Sequence, residues 1–190
     1  MLDYSQYSKT MYKMLLDVFS VAPRLTYNII REEIKSIEEG RSKGDREFFR
    51  RIIGSRIDNM VKSYHRLVMY SLYSSEPGLG RVMARRAGKV FAEYVLGDDI
   101  SIHEAIIELA RLGIGLFSFK GCKRGRCVYK VYSCISCSGI EDSGLGSLCE
   151  WEAGIIEHLN RLVTGRSGYA REVKCWGLGY RYCEFNVIVV

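Results

Sequence analysis

The chain has 190 residues, 47% of them apolar and 26% charged, a balance that excludes disorder because enough apolar surface is on hand to offset the chain entropy. No stretch approaches the roughly 18 apolar residues of a membrane helix, and residues 1–20 carry Asp3, Lys9, Lys13 and Asp17, so neither a signal nor a transit peptide is expected and the reading is a soluble, cytoplasmic protein. Lys and Arg outnumber Asp and Glu by 28 to 22 with the signs mixed along the chain, which argues against direct nucleic-acid binding, whose proteins gather positive charge on one face.

Met11, Met14, Leu15, Val18 and Phe19 recur at helical spacing. Leu25, Ile29, Ile30, Ile34 and Ile37 do the same after Pro23, a residue suited to a helix's first turn. Residues 40–44 interrupt the pattern with glycine and charge. Asp45 is a fitting N-cap for a long helix whose apolar side runs from Phe48 through Met60, Tyr64 and Leu67 to Leu72. Glu76-Pro77-Gly78 ends it. The next helix covers about 80–96, with Gly80, Ala84 and Gly88 on one face, a spacing that lets two backbones pack closely. Ser101 and Glu104 make a capping box for a helix ending near Leu112, before Gly113 and Gly115.

The character changes at Gly113. Residues 116–120 and 128–133 alternate around a loop over 121–127, which predicts a hairpin. A Ser/Gly stretch over 136–147 follows. Trp151, Ile155, Ile156, Leu159, Leu162 and Val163 mark an inserted helix, and strands over about 170–176 and 182–190 flank Gly177-Leu178-Gly179. The fold class is α+β: amino-terminal helices packed on a small antiparallel sheet with one inserted helix. A helical part, 1–77, and a second part, 78–190, are expected to form one compact unit.

All seven cysteines lie between Cys122 and Cys183. In a reducing compartment such a cluster reads first as metal ligands or redox centres. The chain also has a single glutamine, Gln6, and four asparagines. That amide depletion is a thermophile tendency, and hyperthermophiles do form intracellular disulfides.

Cys149-Glu150-Trp151-Glu152-Ala153-Gly154 opens the inserted helix, and Glu172-Val173-Lys174-Cys175 leads through Gly179 to Cys183-Glu184-Phe185. This resembles the 4-vinyl reductase domain family, whose signature is a cysteine before a glycine-containing helix, then E-x2-C-x3-G-x3-C-x-F. The likeness covers about 78–190, with the motif confined to 149–185. It implies the fold of the small subunits of the TRAPP vesicle-tethering complex, a ligand-binding fold of the NO-signalling and Golgi-transport type that is often dimeric. It also implies a small-molecule-binding module, since the family includes sensor domains of phenol-responsive transcription activators and proteins tied to chlorophyll precursors. In the phenol sensors three cysteines and a glutamate hold a structural zinc; the matching positions here are Cys149, Glu172, Cys175 and Cys183.

The residues agree with that ligand set for the three sulfurs. Cys149 lies at a helix amino terminus, where the dipole favours thiolate, and Cys175 and Cys183 converge from one hairpin. Three thiolates and a carboxylate make a closed site, suited to structural rather than catalytic zinc. Glu172 stands an odd number of residues from Cys175, so it needs a bulge or a strand start to join. A Cys175–Cys183 disulfide and a metal-free cluster of buried thiols are the alternatives. Cys122 and Cys127 bracket a tight turn and suit a cross-strand disulfide; a second metal site formed with Cys134 and Cys137 is the other reading. His158 is about 13 Å along the helix from Cys149, too far to share a metal, and His65 and His103 read as packing residues.

The function expected is a small-molecule-binding or sensor module that regulates a partner chain and is braced by zinc. Its pocket would lie between helices and sheet, with Phe119, Tyr132, Trp151 and Trp176 as candidate contacts to a small hydrophobic or aromatic molecule. The alternative is a homodimeric scaffold using the helices over 11–37. In the vesicle-tethering relatives a lipidated cysteine precedes the helix matching 101–112; Asp98-Asp99-Ile100 stands there instead. A second alternative is a reductase-associated protein of tetrapyrrole metabolism. No dinucleotide-binding glycine fingerprint or Walker-type loop is present, so an enzyme is not expected.

Overall fold

The computed structural model describes residues 23–42, 59–140 and 144–189; the helix expected over 11–19 and the N-cap expected at Asp45 lie outside them. The described elements are α1 (Pro23–Glu38), α2 (Asn59–Ser75), α3 (Pro77–Leu96), α4 (Ile102–Arg111), β1 (Leu116–Lys123), β2 (Arg126–Tyr132), α5 (Glu150–Thr164), β3 (Gly168–Lys174), a 3-10 turn (Trp176–Leu178) and β4 (Cys183–Val189). The strands form one antiparallel sheet in the order β1-β2-β4-β3, so two hairpins meet along β2 and β4 and α5 connects them. This is the α+β architecture that the hydrophobic pattern predicts.

Local chemistry accounts for the element ends. The Ser101 side chain accepts the Glu104 N–H at 3.3 Å, while the Glu104 carboxylate accepts the Ser101 N–H at 3.1 Å, so two donors that a helix start would orphan are satisfied. The first hairpin is tighter than its sequence suggests. Instead of a loop over 121–127, Cys122 pairs with Cys127 and Lys123 with Arg126. Only Arg124 (φ 51°) and Gly125 (φ 74°) turn, both left-handed, the two-residue geometry that matches the sheet's twist. Trp176, expected at the end of a strand, instead opens the 3-10 turn.

Helix α5 is buried almost all round, from Trp151 through Ile156 and again at His158, Leu159 and Asn160, because it is sandwiched between the sheet and the helical layer. Tyr129, Val131, Phe185 and Val187 form its floor in the shared core. Its roof is α3, whose buried face is Gly80, Ala84, Gly88, Ala92 and Leu96. A Cβ at Gly88 would stand 1.9 Å from the Trp151 carbonyl oxygen, and one at Gly154 would stand 2.0 Å from that of Arg85. The two backbones touch, as the small-residue spacing predicts.

Arg85 locks this crossing. Its Nη2 donates to Glu150 at 2.5 Å, and its Nη1 to Glu157 at 2.9 Å and to the Ala170 carbonyl at 2.8 Å. One largely buried guanidinium thereby ties α3, α5 and β3 together with charge-assisted bonds. The Nε2 of His158 donates to the Gly97 carbonyl at 2.9 Å, and His103 packs on the Tyr27 ring at 4.5 Å. Both are packing residues.

Candidate metal centre

Four segments distant in sequence bring Cys134, Cys137, Cys149, Cys175 and Cys183 together, all with free thiols and 0% exposed. Beyond β2 the chain reverses at Ser133 (φ 50°). The turn Cys134-Ile135-Ser136-Cys137 then closes through the Ser138 N–H on the Cys134 carbonyl at 3.0 Å. Helix α2 clamps this turn from outside. Arg66 donates to the carbonyls of Ile135 (2.8 Å) and Ser138 (2.7 Å), Tyr70 donates to that of Ser136 (2.8 Å), and His65 bonds the Ser136 hydroxyl (2.9 Å). Cys149 is the residue before α5, at the positive end of its dipole. Cys175 follows β3 directly, its carbonyl accepting the Leu178 and Tyr180 N–H groups at 3.0 Å each. Cys183 opens β4 opposite Val131.

The sulfur of Cys149 is the hub. It lies 3.2 Å from Cys137, 3.5 Å from Cys134 and Cys183, and 3.7 Å from Cys175, while Cys137 and Cys183 are 3.2 Å apart. A tetrahedral ion with metal–sulfur bonds of about 2.3 Å spaces its sulfurs about 3.8 Å apart, close to these separations. Two ligand sets have all their donor atoms within 4.8 Å of one another: Cys134, Cys137, Cys149 and Cys183, and Cys149, Glu172, Cys175 and Cys183.

Glu172 reaches the cluster because the β3–β4 register shifts between Glu172 and Lys174; that irregularity breaks the two-residue alternation which would turn Glu172 and Cys175 to opposite faces. Its Oε2 accepts the Cys149 N–H at 3.3 Å, and its buried Oε1 has no hydrogen-bond partner among the described residues. An orphaned buried carboxylate oxygen beside a dry cluster of soft sulfur donors is the donor set a metal ion satisfies. The residues fit one. Electrostatics point the same way. Burial pushes the Cys149 and Cys183 thiols up, whereas hydrogen bonds from Cys137, Cys149 and Cys183 pull Cys175 well below the ordinary thiol value. Without a cation the cluster therefore cannot ionise as a whole.

Two participants lie outside the ligand set that the motif implies. Cys134 and Cys137 do not form a separate site with Cys122 and Cys127, which are joined to each other in a disulfide across the first hairpin; they join the cluster of Cys149, Cys175 and Cys183 instead. Their signal in the sequence is the two-residue spacing, and the chain reversal at Ser133 supplies the direction that spacing lacks. Glu152, one turn along α5 from Cys149, is also fully buried. Its Oε1 accepts from the Cys134 thiol at 3.0 Å and from the Ser136 N–H at 3.2 Å, and burial holds its carboxyl well above the usual carboxylate range.

The four aromatic candidates occupy separate settings. Phe119 packs on Tyr129 at 5.1 Å, and Tyr132 lies 5.7 Å from the Tyr182 ring and donates its hydroxyl to Glu38. Trp151 sits on the helical side between His65 (4.8 Å) and Phe91 (5.0 Å). Trp176 starts the turn after Cys175. Of the four, Phe119 alone lines a cavity of about 500 Å³ between α1 and β1.

The class the architecture defines is an α+β domain with a buried cysteine centre at the junction of its inserted helix and its sheet. The 4-vinyl reductase domain model matches residues 127–189, about a third of the chain; this is the family that the motif over 149–185 resembles, and the match contains every residue of the centre. The chain is 43% identical to the uncharacterized protein MJ1642 of Methanocaldococcus jannaschii over 61 residues, 32% of this chain and 37% of that one. It is 33% identical to the uncharacterized protein MJ0150 of the same organism over 99 residues, 52% of this chain and 56% of that one. It thus spans between a third and three fifths of the length of these relatives. Among solved structures, a vinyl-4-reductase family protein from Methanocaldococcus jannaschii superposes with a TM-score of 0.46 at 19% identity, covering 76% of this chain and 91% of that one. The phenol-responsive sensory domain of the transcription activator PoxR, bound to phenol, gives 0.46 at 12% identity, covering 66% and 73%. No helix among the described residues is long and apolar enough to cross a membrane.

Proposed function

We propose that this chain is a small-molecule-binding or sensor module, braced by a structural zinc ion, that acts on a partner by binding rather than by catalysis. The observation that carries this reading is the complete burial of the five clustered sulfurs. An ion held there has no open position for water or substrate, so the brace and the binding place are separate. Thiolate-rich, four-coordinate and dry surroundings suit zinc among the available divalent ions. The binding place is the cavity between α1 and β1. Tyr27, Ile30, Ile34, Phe117 and Phe119 give it an apolar wall, and Glu38 and Lys120, paired at 3.1 Å, a charged rim. Its volume of about 500 Å³ suits a small aromatic or hydrophobic molecule carrying one polar group.

Native mass spectrometry and thermal shift with a panel of small phenols test the reading. At a hundredfold excess over Kd, a ligand raises stability by about 2.7 kcal/mol, a shift of several degrees in Tm. Phe119→Ala is expected to lose that response and keep its metal. An unchanged response in Phe119→Ala, or no adduct with any phenol, contradicts it.

The dimeric alternative is favoured by one feature. On α3, opposite the glycine-lined face, Leu79 (60%), Val82 (64%), Val90 (54%) and Tyr94 (90%) are exposed, and contiguous apolar exposure marks association surfaces. Light scattering is then expected to give a dimer, and Val90→Asp combined with Tyr94→Asp a monomer with its metal retained. A monomeric wild type removes this reading.

A further inference from the structure

We propose that the centre is binuclear, with one divalent ion held by Cys134, Cys137, Cys149 and Cys183, a second held by Cys149, Glu172, Cys175 and Cys183, and the thiolates of Cys149 and Cys183 bridging the two. This rests on the metal reading above and extends it, because a single zinc needs four ligands and the pocket offers six.

The geometry divides those six donors cleanly. Each ligand set has all its donor atoms within 4.8 Å of one another, and the sets overlap in Cys149 and Cys183 alone. A bridging sulfur must neighbour the terminal ligands of both halves. Cys149 does so: Cys134 and Cys137 lie within 3.5 Å on the one side, and Cys175 at 3.7 Å on the other. Its bridging partner Cys183 is 3.5 Å away, a sulfur–sulfur edge that two tetrahedra can share given metal–sulfur bonds of about 2.3 Å.

Each half also has its own rigid source of terminal ligands. Cys134 and Cys137 come from the turn that Arg66, Tyr70 and His65 clamp against α2. Glu172 and Cys175 come from the irregular end of β3. One ion in the first set would leave the buried Oε1 of Glu172 orphaned, which is costly in a dry site. One ion in the second set would leave Cys134 and Cys137 as an idle buried pair whose anchoring by three side chains of α2 serves nothing at the metal.

Charge supports two ions. Five thiolates and one carboxylate carry six negative charges. One divalent ion leaves four of them in a water-free pocket, whereas two leave two. Loading exchanges protons only: each thiol that binds releases its proton to solvent, and no electrons move.

Metal analysis with native mass spectrometry, on protein purified under reductant without added metal, is expected to give two ions per chain. The double variant Cys134→Ser, Cys137→Ser and the single variant Cys175→Ser are each expected to give one. If these variants fail to fold, wild-type protein loaded with cadmium-113 decides the matter: two cadmium resonances, coupled to each other through the shared sulfurs, are expected. One ion per wild-type chain, or a single cadmium resonance, overturns the binuclear centre while leaving the metal-braced module intact. Two resonances without coupling overturn the bridge. Acid-labile sulfide with absorption near 400 nm overturns it in favour of an iron–sulfur cluster, and a metal-free folded protein overturns both this inference and the reading beneath it.

Discussion

Cys149→Ala is expected to leave the protein without bound metal and without a cooperative thermal transition in its carboxy-terminal part. The Cys149 sulfur belongs to both ligand sets, so its loss cannot be absorbed by exchanging one tetrad for the other. Structural zinc sites contribute about 10–16 kcal/mol of apparent binding free energy, against a total stability of about 5–15 kcal/mol for a typical domain. The segments that meet only at the centre, the turn over 134–137, the tip of α5 and the β3–β4 connection, have little else to hold their sulfurs together once the buried thiols face one another uncompensated. Circular dichroism melting and metal analysis on the same sample check this. The paired variant Cys122→Ser, Cys127→Ser serves as the contrast: it opens a short cross-link at the hairpin tip, costs about 2 kcal/mol, and keeps its full metal content. A Cys149→Ala protein that melts like wild type with metal still bound contradicts the account.

The second large effect is expected from Gly154→Val. The glycine lies where α5 crosses α3, and even one added carbon would stand 2.0 Å from the Arg85 carbonyl oxygen and 2.7 Å from the Lys89 nitrogen. Those neighbours are helix backbone, with no rotamer to move aside, so the helices must separate. Overpacking of a well-filled core costs about 1–3 kcal/mol even where side chains can shift; here the loss is expected to exceed that. It should also propagate, because separation of the helices pulls Glu150 and Glu157 from Arg85 and leaves buried charges unpaired. The tip of α5 carries Cys149, so metal affinity is expected to fall along with Tm. Gly78→Ala is the control, since nothing lies within 4 Å of a Cβ added there, and in an exposed helical turn the change is expected to be neutral or to stabilise by up to about 1 kcal/mol. Chemical denaturation of the two variants beside wild type separates them.

What can be read from the sequence, and what cannot, follows from the range of the forces involved. The capping box of Ser101 and Glu104 is a local device and lies where its spacing puts it. The glycine stripe of α3 is legible because a fourfold repeat of small residues has a packing meaning whatever its partner. Cys149, Cys175 and Cys183 come from a motif. Cys134 and Cys137 do not, because their convergence depends on a left-handed Ser133 and on hydrogen bonds from Arg66, His65 and Tyr70, far away in the chain, which no local pattern encodes. Strand parity sets Glu172 against Cys175, and the register shift beside it is the irregularity that parity requires. The sequence suggests too wide a loop for the first hairpin because its basic, cysteine-containing arms resemble a loop in composition, whereas cross-strand pairing of Cys122 with Cys127 extends the ladder to a two-residue turn. The aromatic candidates share a neighbourhood of the chain around the motif, and the pleat and the helix send Phe119 and Trp151 to different layers.

The most direct measurement is X-ray absorption at the zinc edge on protein purified under reductant without added metal. A first shell dominated by sulfur at about 2.3 Å is the expected result. A first shell of nitrogen and oxygen, or folded protein with no metal and all the clustered thiols free, would contradict the claim that these buried sulfurs clasp an ion.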